Sequence, residues 1–389
     1  MGLAGQIILR AHELGFDLVG IGPAHRSTGA SQYSDWLANG YHGEMAYLAR
    51  PDAVARRQDL SLTLPGIRSV VVVAMNYHSS APAPDLRTDS SRGVIASYAG
   101  GDDYHDLLTP RLGQLGAFIE AESGQSIAYR AYADTGPILE RDLASAAGLG
   151  FIGKNCNLIH PRLGSWLLLG ELLLTLDLPP AAAISAPGDG LGQAVSDGTC
   201  GNCTRCLDNC PTAALVAPYV VDARRCISYL TVELKGPIPR ELRRLIGNRI
   251  FGCDICQEAC PWNQRFARPT AQPVFQPWPG LVAPSLLELM ALDGAEFRTR
   301  FSRSPVERAK RRGLLRNVAV ALGNWGDPAA VPALTNALRD PEPLIRGHAA
   351  WALGRIAGVK ACQSLEQAFE SEADEWVREE LRAARFDSC

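Results

Sequence analysis

The sequence predicts three successive parts: an α/β domain, a cysteine-rich module and a C-terminal run of α-helical repeats. Three observations carry that reading. Apolar segments of strand and helix character alternate over roughly the first 180 residues, eight of the eleven cysteines fall between Cys200 and Cys260, and a helical pattern beyond Leu314 repeats at a 31-residue spacing. A chain of 389 residues with 47% hydrophobic content has room for two or three domains with real cores. Its net charge of -3 excludes a global attraction to polyanions, so any such site must be a local concentration of Lys and Arg.

The first part is expected to span residues 1–180. Ile7 to Leu14 has helical apolar spacing and stops at Gly15, whereas SVVVVAM (Ser69 to Met75) reads as a buried strand introduced by the turn Leu64-Pro65-Gly66. Gln114 to Ala121 and Ile138 to Ala147 read as helices, the second with Pro137 just inside its first turn and Gly148 at its end. Leu167 to Leu174 fits either a strand or a helix. The opening MGLAGQIILRAHELGF has no basic region followed by an apolar block and no twin-arginine pair, and it reads as an amphipathic helix. The longest apolar stretch, Trp166 to Leu178, is interrupted by Glu171 and Asp177 and is too short to span a bilayer.

A linker rich in Ala, Gly, Ser and Asp (Ala181 to Gly198) leads into the second part, residues 181–268. Here CGNCTRCLDNCP and CDICQEACP each close on Cys-Pro. Two-residue gaps let neighbouring thiolates wrap one corner of an iron–sulfur cube, and the terminal Cys-Pro turns the chain away so that its cysteine ligates the other cluster. Cys200, Cys203 and Cys206 with Cys260 form one set; Cys253 and Cys256 with Cys210 form a second that is one ligand short, and Cys226 is its natural completion. Eight thiolates suit two 4Fe-4S clusters in a ferredoxin-like module. Zinc would accept four-cysteine sets but gives no reason for the three-residue gap before Cys-Pro, and a disulfide framework suits small secreted chains. Cys156, Cys362 and Cys389 are left to structural roles. Free thiolates and assembled clusters belong in a reducing cytoplasm.

Residues 269–313 comprise a Pro-rich strap, Pro269 to Pro284, and a basic segment. Residues 314–389 then carry the repeats: Leu322 and Leu353, Gly323 and Gly354, and Leu334 and Leu365 are each 31 residues apart, with a partial third copy from Val377. Such paired helices resemble HEAT-like repeats, the alternative being an ordinary helical tail.

The order of parts, together with DTGPILERDLA, GFIGKN, CISYLT, FGCDICQEACPWN and RNVAVALGN, resembles the epoxyqueuosine reductase family over nearly the whole chain. The resemblance implies a cobalamin-dependent enzyme with two 4Fe-4S clusters that removes the epoxide oxygen of epoxyqueuosine at the wobble position of the tRNA anticodon loop. It also implies a cobalamin-binding role for the N-terminal domain, a monomer, no membrane, and an electron donor that the sequence leaves unidentified.

Within that resemblance Asp134 aligns with the family's proton donor. It follows the strand-like Tyr129 to Ala133 and precedes the Gly136-Pro137 helix start, although a turn residue tying down local N–H groups would look the same. Cofactor contacts are expected at Arg57, Ser97, Asp134, Gly153, Lys154, Asn155, Ser228, Cys253 and Asp254, with Ser97 near a position where some relatives place a cysteine. Ordinary readings compete: Arg57 as a surface charge, Gly153 as a turn, Ser228 as a helix cap, Asp254 as a backbone acceptor. His105 lies in a near miss to the cobalt-ligating Asp-x-His-x-x-Gly pattern, with Leu108 in the glycine position, and is not assigned to cobalt. Glu140 and Arg141 are expected to form a solvated or packing pair.

For the tRNA, Arg298 to Arg316 carries eight cations against Glu307. Such a run is commonly a solvated helical face, but beside the cluster module it suits a phosphate backbone, with Arg311, Arg312 and Arg316 as principal contacts and Lys235 beside the active site. A reductive dehalogenase and a non-enzymatic electron carrier are the competing functions.

Overall fold

The computed structural model describes residues 2–24, 27–79, 86, 88–185 and 198–388. The chain forms two compact units, the first being Met1–Ser79, Asp103–Arg224 and Ile255–Phe275, the second Ser80–Asp102, Arg225–Asp254 and Gln276–Cys389.

The first unit is organised on a sheet of β1 (Leu18–Pro23), β2 (Ser69–Asn76), β3 (Tyr129–Tyr132), β4 (Leu167–Leu174) and β5 (Ala181–Ser185), in the order β3-β4-β2-β1-β5. Every pairing is antiparallel. All eight residues of β2 are buried, because helices cover both faces of the sheet; that is why its sequence is a continuous apolar run. Helix α1 (Leu3–Glu13) packs with α3 (His105–Ser123) on one face, where a Cβ on Gly170 would lie 3.0 Å from Leu112 Cδ1 of α3. On the other face α4 (Glu140–Ala146) lies over Val70, Val72, Leu169 and Leu173. The approach of α4 is so close that a Cβ on Gly20 of β1 would lie 2.3 Å from the Ala147 carbonyl oxygen. The short helix α2 (Pro51–Gln58) brings Arg57 into the buried interior.

One sequence alternative is settled here and one expectation changes. Leu167–Leu174 is a strand, since central pairing with both β2 and β3 satisfies its backbone. Ala181–Ser185, expected to begin a linker, pairs with β1 as an edge strand, so the sheet runs beyond residue 180. Residues 186–197 of that linker, and Cys389, lie outside the described residues.

In the second unit the repeats are realised as α6 (Lys310–Trp325) with α7 (Val331–Ala337), α8 (Pro343–Ile356) with α9 (Val359–Ser371), and a third partial copy, α10 (Glu375–Ser388). They are preceded by α5 (Arg240–Ile246). Consecutive inner helices pack α6 on α8 and α8 on α10. Equivalent glycines make the approach possible: a Cβ on Gly323 would lie 2.9 Å from the Ala352 Cα, and one on Gly354 2.9 Å from the Ala384 Cα. Between α5 and α10, the buried Arg243 guanidinium donates to both carboxylate oxygens of Glu380 at 2.8 Å. The Pro-rich passage contains only two single 3-10 turns, Pro273–Phe275 and Pro279–Leu281.

Candidate functional site

Two chemically distinct sites form in the first unit. Cys200, Cys203, Cys206 and Cys260 line a cavity of about 130 Å³ with Lys154, Asn155, Ile159, Pro261 and Trp262. A turn closed by the Cys203 N–H donating to the Cys200 carbonyl sets the first gap, and the one-turn helix Arg205–Asp208 presents Cys206. Cys260 caps the helix Pro261–Phe266, whose first position is the proline that redirects the chain.

Burial pushes the Cys206 thiol up to about 11 and raises Cys260 as well. Coordination would reverse this, since a metal-bound thiol is deprotonated outright. Among the described residues no three His, Cys, Asp or Glu side chains converge on a single-ion site. Four soft thiol donors around one cavity suit an iron–sulfur cube, the group that the cysteine spacing specifies. The four thiols brought together are those that the spacing assigns to one cluster. Of the remaining four, Cys210 accepts the Ala214 N–H at 3.3 Å and Cys256 sits in the helix Ile255–Glu258. Cys226 precedes a π-helical turn, Tyr229–Glu233, and Cys253 follows the strand Arg249–Phe251.

The segment Gly153 to Asn155 serves this cavity. The Lys154 N–H donates to the Cys200 sulfur at 3.4 Å, and its ammonium donates to the carbonyls of Gly201 and Cys203 at 2.7 and 3.0 Å. Asn155 is buried and donates to the Cys256 carbonyl, while a Cβ on Gly153 would lie 2.4 Å from Ile159 Cδ1. Their polar groups thereby shape the cysteine loop.

The second site is a group of carboxyls around Asp134. The residue lies between β3 and α4 with φ of 60°, a left-handed conformation that costs a non-glycine residue about 1 kcal/mol or more. Its carboxylate accepts the Tyr104 hydroxyl at 2.7 Å, and its N–H donates to Glu140 Oε1 at 2.7 Å. Burial and the nearby Asp134 charge push Glu140 up to about 7, against the lowering effect of Arg141 and Arg57. Glu171 is fully buried, neither of its carboxyl oxygens has a hydrogen-bond partner, and burial followed by Glu140 and Asp134 raises it well above the usual carboxylate range. Glu140 is thus no solvated partner of Arg141, whose guanidinium donates to the Cys156 carbonyl. Sequence reasoning missed Tyr104, Glu140 and Glu171; the available signal was an acid in the middle of the apolar run LLLGELLL.

Arg57 is buried rather than a surface charge, donating to the Ala53 carbonyl with its guanidinium 5.4 Å from the Tyr33 ring centre. In the second unit, two expected cofactor residues meet each other: Ser97 donates through both N–H and Oγ to Asp254 Oδ2 at 2.7 and 2.8 Å. Ser228 opens the π-helical turn without a capping hydrogen bond from its side chain. His105 Nδ1 is engaged by Asp103 at 2.7 Å.

The expected tRNA contacts divide sharply. Arg316 is 1% exposed, and its guanidinium donates to the carbonyls of Leu230, Leu234 and Gly236. It is corrected from a phosphate ligand to a structural residue, since a buried guanidinium with satisfied donors cannot reach a backbone phosphate. Arg311 is held by the Leu292 carbonyl and by Asp340. Arg312 and Lys235 are exposed and adjacent, the Arg312 guanidinium donating to the Lys235 carbonyl at 3.3 Å. Neighbouring motif residues explain themselves similarly: Asn317 donates to the Thr231 and Ile250 carbonyls, and Asn324 to those of Arg243 and Gly247.

Comparison with known proteins follows this anatomy. A family model for epoxyqueuosine reductase QueG matches residues 57–135, one for a 4Fe-4S double cluster binding domain matches 199–263, and one for HEAT repeats matches 308–385. The epoxyqueuosine reductase of Pseudomonas aeruginosa is 43% identical over 358 residues, covering 91% of this chain and 94% of its own. That of Escherichia coli is 42% identical over 363 residues, covering 92% and 91%. Among solved structures, an epoxyqueuosine reductase with a tRNA-Tyr epoxyqueuosine-modified stem loop superposes with TM-score 0.87 at 33% identity, covering 99% and 98% of the two chains. The Bacillus subtilis enzyme, with its catalytic Asp loop swung out of the active site, superposes with TM-score 0.87 at 32% identity, covering 100% and 99%.

Proposed function

The chain belongs to the epoxyqueuosine reductase family, and from that premise we propose that it reduces epoxyqueuosine to queuosine at the tRNA wobble position with Asp134 as proton donor. The observation that carries the assignment of the acid is the Asp134 turn: a strained carboxylate held by Tyr104 and backed by Glu140. Strain of this kind persists where the surroundings over-determine it, and active sites are where it gathers. A relative's catalytic Asp loop supports the same role.

Two 4Fe-4S clusters would supply the electrons. The first is held by Cys200, Cys203, Cys206 and Cys260 around their common cavity. The second is assigned to Cys210, Cys226, Cys253 and Cys256 on spacing, within the segment that the double-cluster model spans. N–H groups of Lys154 and Ala214 aimed at cysteine sulfurs stabilise the added negative charge when a cluster is reduced.

The family is cobalamin-dependent. His105 is not assigned to cobalt, because Leu108 stands where the Asp-x-His-x-x-Gly pattern needs glycine. Arg57, Ser97, Asp134, Gly153, Lys154, Asn155, Ser228, Cys253 and Asp254 are the residues that the family resemblance assigns to the group, and when bound it supplies the strongly reducing centre that opens the strained ring. The protein's own part is to place the substrate and deliver protons where the C–O bond breaks.

Among the described residues no helix is long and apolar enough to cross a membrane. We place the enzyme in the cytoplasm, where the eight cluster thiols would stay reduced, as a monomer fed by a separate electron donor. The tRNA backbone is assigned to exposed Lys235 and Arg312, with Arg311 held back by its ion pair. The test is anaerobic incubation of reconstituted protein with epoxyqueuosine-containing tRNA, cobalamin and a strong reductant. Queuosine in the nucleoside digest is expected; its absence with both clusters and cobalamin loaded overturns the assignment.

A further inference from the structure

Reduction of an epoxide to an alkene consumes two electrons, and clusters that pass electrons singly must be recharged from outside the chain. Of the two cysteine sets, the first is the one whose loop reaches solvent: Gly201, Asn202, Thr204 and Arg205, interleaved with Cys203 and Cys206, are exposed. Cys226 and Cys253 of the second set each adjoin a buried residue, Ile227 and Gly252. We propose that the face over the first cysteine cavity, formed by residues 201–205 and the helix Pro261–Phe266, is the docking site of a small acidic electron carrier of the ferredoxin type. This rests on the two-cluster reading given above.

The face has an aromatic centre and a cationic rim. Trp262 lines the cavity and is half-buried; its ring stacks on Phe266 with centroids 5.7 Å apart and meets Phe151 edge-on at 5.5 Å. The Arg265 guanidinium lies 5.2 Å from the Phe266 ring centre, and Arg205 reaches the same helix by donating to Gln264 Oε1 at 3.2 Å. Lys154 stands at the cavity wall, its ammonium on the Gly201 and Cys203 carbonyls, where it offsets the charge of a loaded cluster. Arg205 and Arg265 are exposed, and among the described residues neither has a carboxylate partner. The acids nearby are fewer: Asp208 is engaged by the Thr204 hydroxyl at 2.7 Å, and Glu258 gives its carbonyl to Gln264. The two arginines are thus left with their charge turned to solvent.

A small patch of this composition suits the brief encounters of electron transfer, whose interfaces are among the smallest that proteins make. Its rim charges set the rate of encounter and the salt dependence, and cations select a partner that carries acids. A plant-type 2Fe-2S ferredoxin is strongly reducing and gives up its electron singly, which matches an acceptor that takes one at a time. In each encounter the carrier's centre is oxidised by one electron and the first cluster is reduced by one; no bond is made or broken and no proton moves. Two encounters supply one epoxide reduction. A phosphate backbone is the poorer fit, because nucleic acid is held by many cations and this face offers two beyond the cavity wall.

The test uses the full chain with both clusters assembled, as wild type, as Arg205→Glu with Arg265→Glu, and as a control with Arg339→Glu and Arg355→Glu, two exposed cations of the repeat region. Each is mixed anaerobically with a pre-reduced plant-type 2Fe-2S ferredoxin at several salt concentrations. Freeze-quench electron paramagnetic resonance separates the reduced carrier from the reduced 4Fe-4S cluster. In wild type and control the rate constant for cluster reduction falls as salt rises. In the Arg205 and Arg265 variant it is about 10-fold lower at low salt and nearly independent of salt. Iron content, and reduction by photoreduced deazariboflavin as a small uncharged donor, match wild type in all three. An unchanged ferredoxin rate in that variant, or an equal loss in the control, overturns the proposal. So does a variant that loses tRNA affinity while keeping the ferredoxin rate, which makes the face an RNA surface, or a flavin carrier that needs these arginines where ferredoxin does not. No queuosine is measured, so failure here leaves the proposed activity standing, whereas protein that assembles no clusters defeats the two-cluster reading instead.

Discussion

The thiols of Cys206 and Cys260 and the carboxyls of Glu140 and Glu171 meet the same physical force and resolve it oppositely. Burial raises the Cys206 thiol to about 11 and Glu140 to about 7. At the cysteines the expected partner is iron, whose positive charge removes the protons, so the region becomes a carrier of electrons. At the carboxyls the cations are too few: Arg57 and Arg141 lower Glu140 but are outweighed, and nothing pairs with Glu171. That region keeps its protons. Desolvation alone does not say which currency a buried site will handle; the neighbouring charge does.

The comparison can be broken most severely at the cysteines. Cys260→Ser should lower the iron content from about eight to about four per chain and abolish turnover, since the first cluster loses a ligand. Iron analysis and the cluster absorbance check this, and an unchanged iron count would show that Cys260 is no ligand.

A second contrast lies within one basic run. Arg316→Ala strands three buried carbonyls and should cost about 3 kcal/mol or more of stability, read as a lower Tm. By contrast, Lys235→Ala with Arg312→Ala should leave Tm nearly unchanged and weaken tRNA binding up to about 10-fold, with the salt slope reduced by about 1 to 2. If the surface pair shifts Tm and not binding, the division between structural and phosphate-facing cations is wrong.

These contrasts also explain what could be read in advance. Ligand spacing in the cysteine set is local in the chain, so C-x2-C and Cys-Pro disclose which thiols meet before any tertiary structure is known. The 31-residue repeat was legible for the same reason, as each copy buries its apolar face against the next. Glu171 was visible only as an interruption that ruled out a membrane span. Its meaning depended on register, because one residue's slip along β4 would have turned it to the α3 face. Arg316 failed in the opposite sense: a run of cations has no sidedness until the helix packs, and α6 turns this one inward. Ala181–Ser185 was misjudged because an edge strand of small residues has no alternation to betray it.

The account turns on Asp134 delivering protons while the cysteines deliver electrons, and Asp134→Asn separates the two directly. The variant keeps the side chain's shape, so iron content and cobalamin binding should match wild type. Single-turnover queuosine formation, measured anaerobically with pre-reduced protein and epoxyqueuosine-containing tRNA, should fall about 10²-fold or more. A rate close to wild type with both cofactors in place would return Asp134 to an ordinary turn and contradict the account.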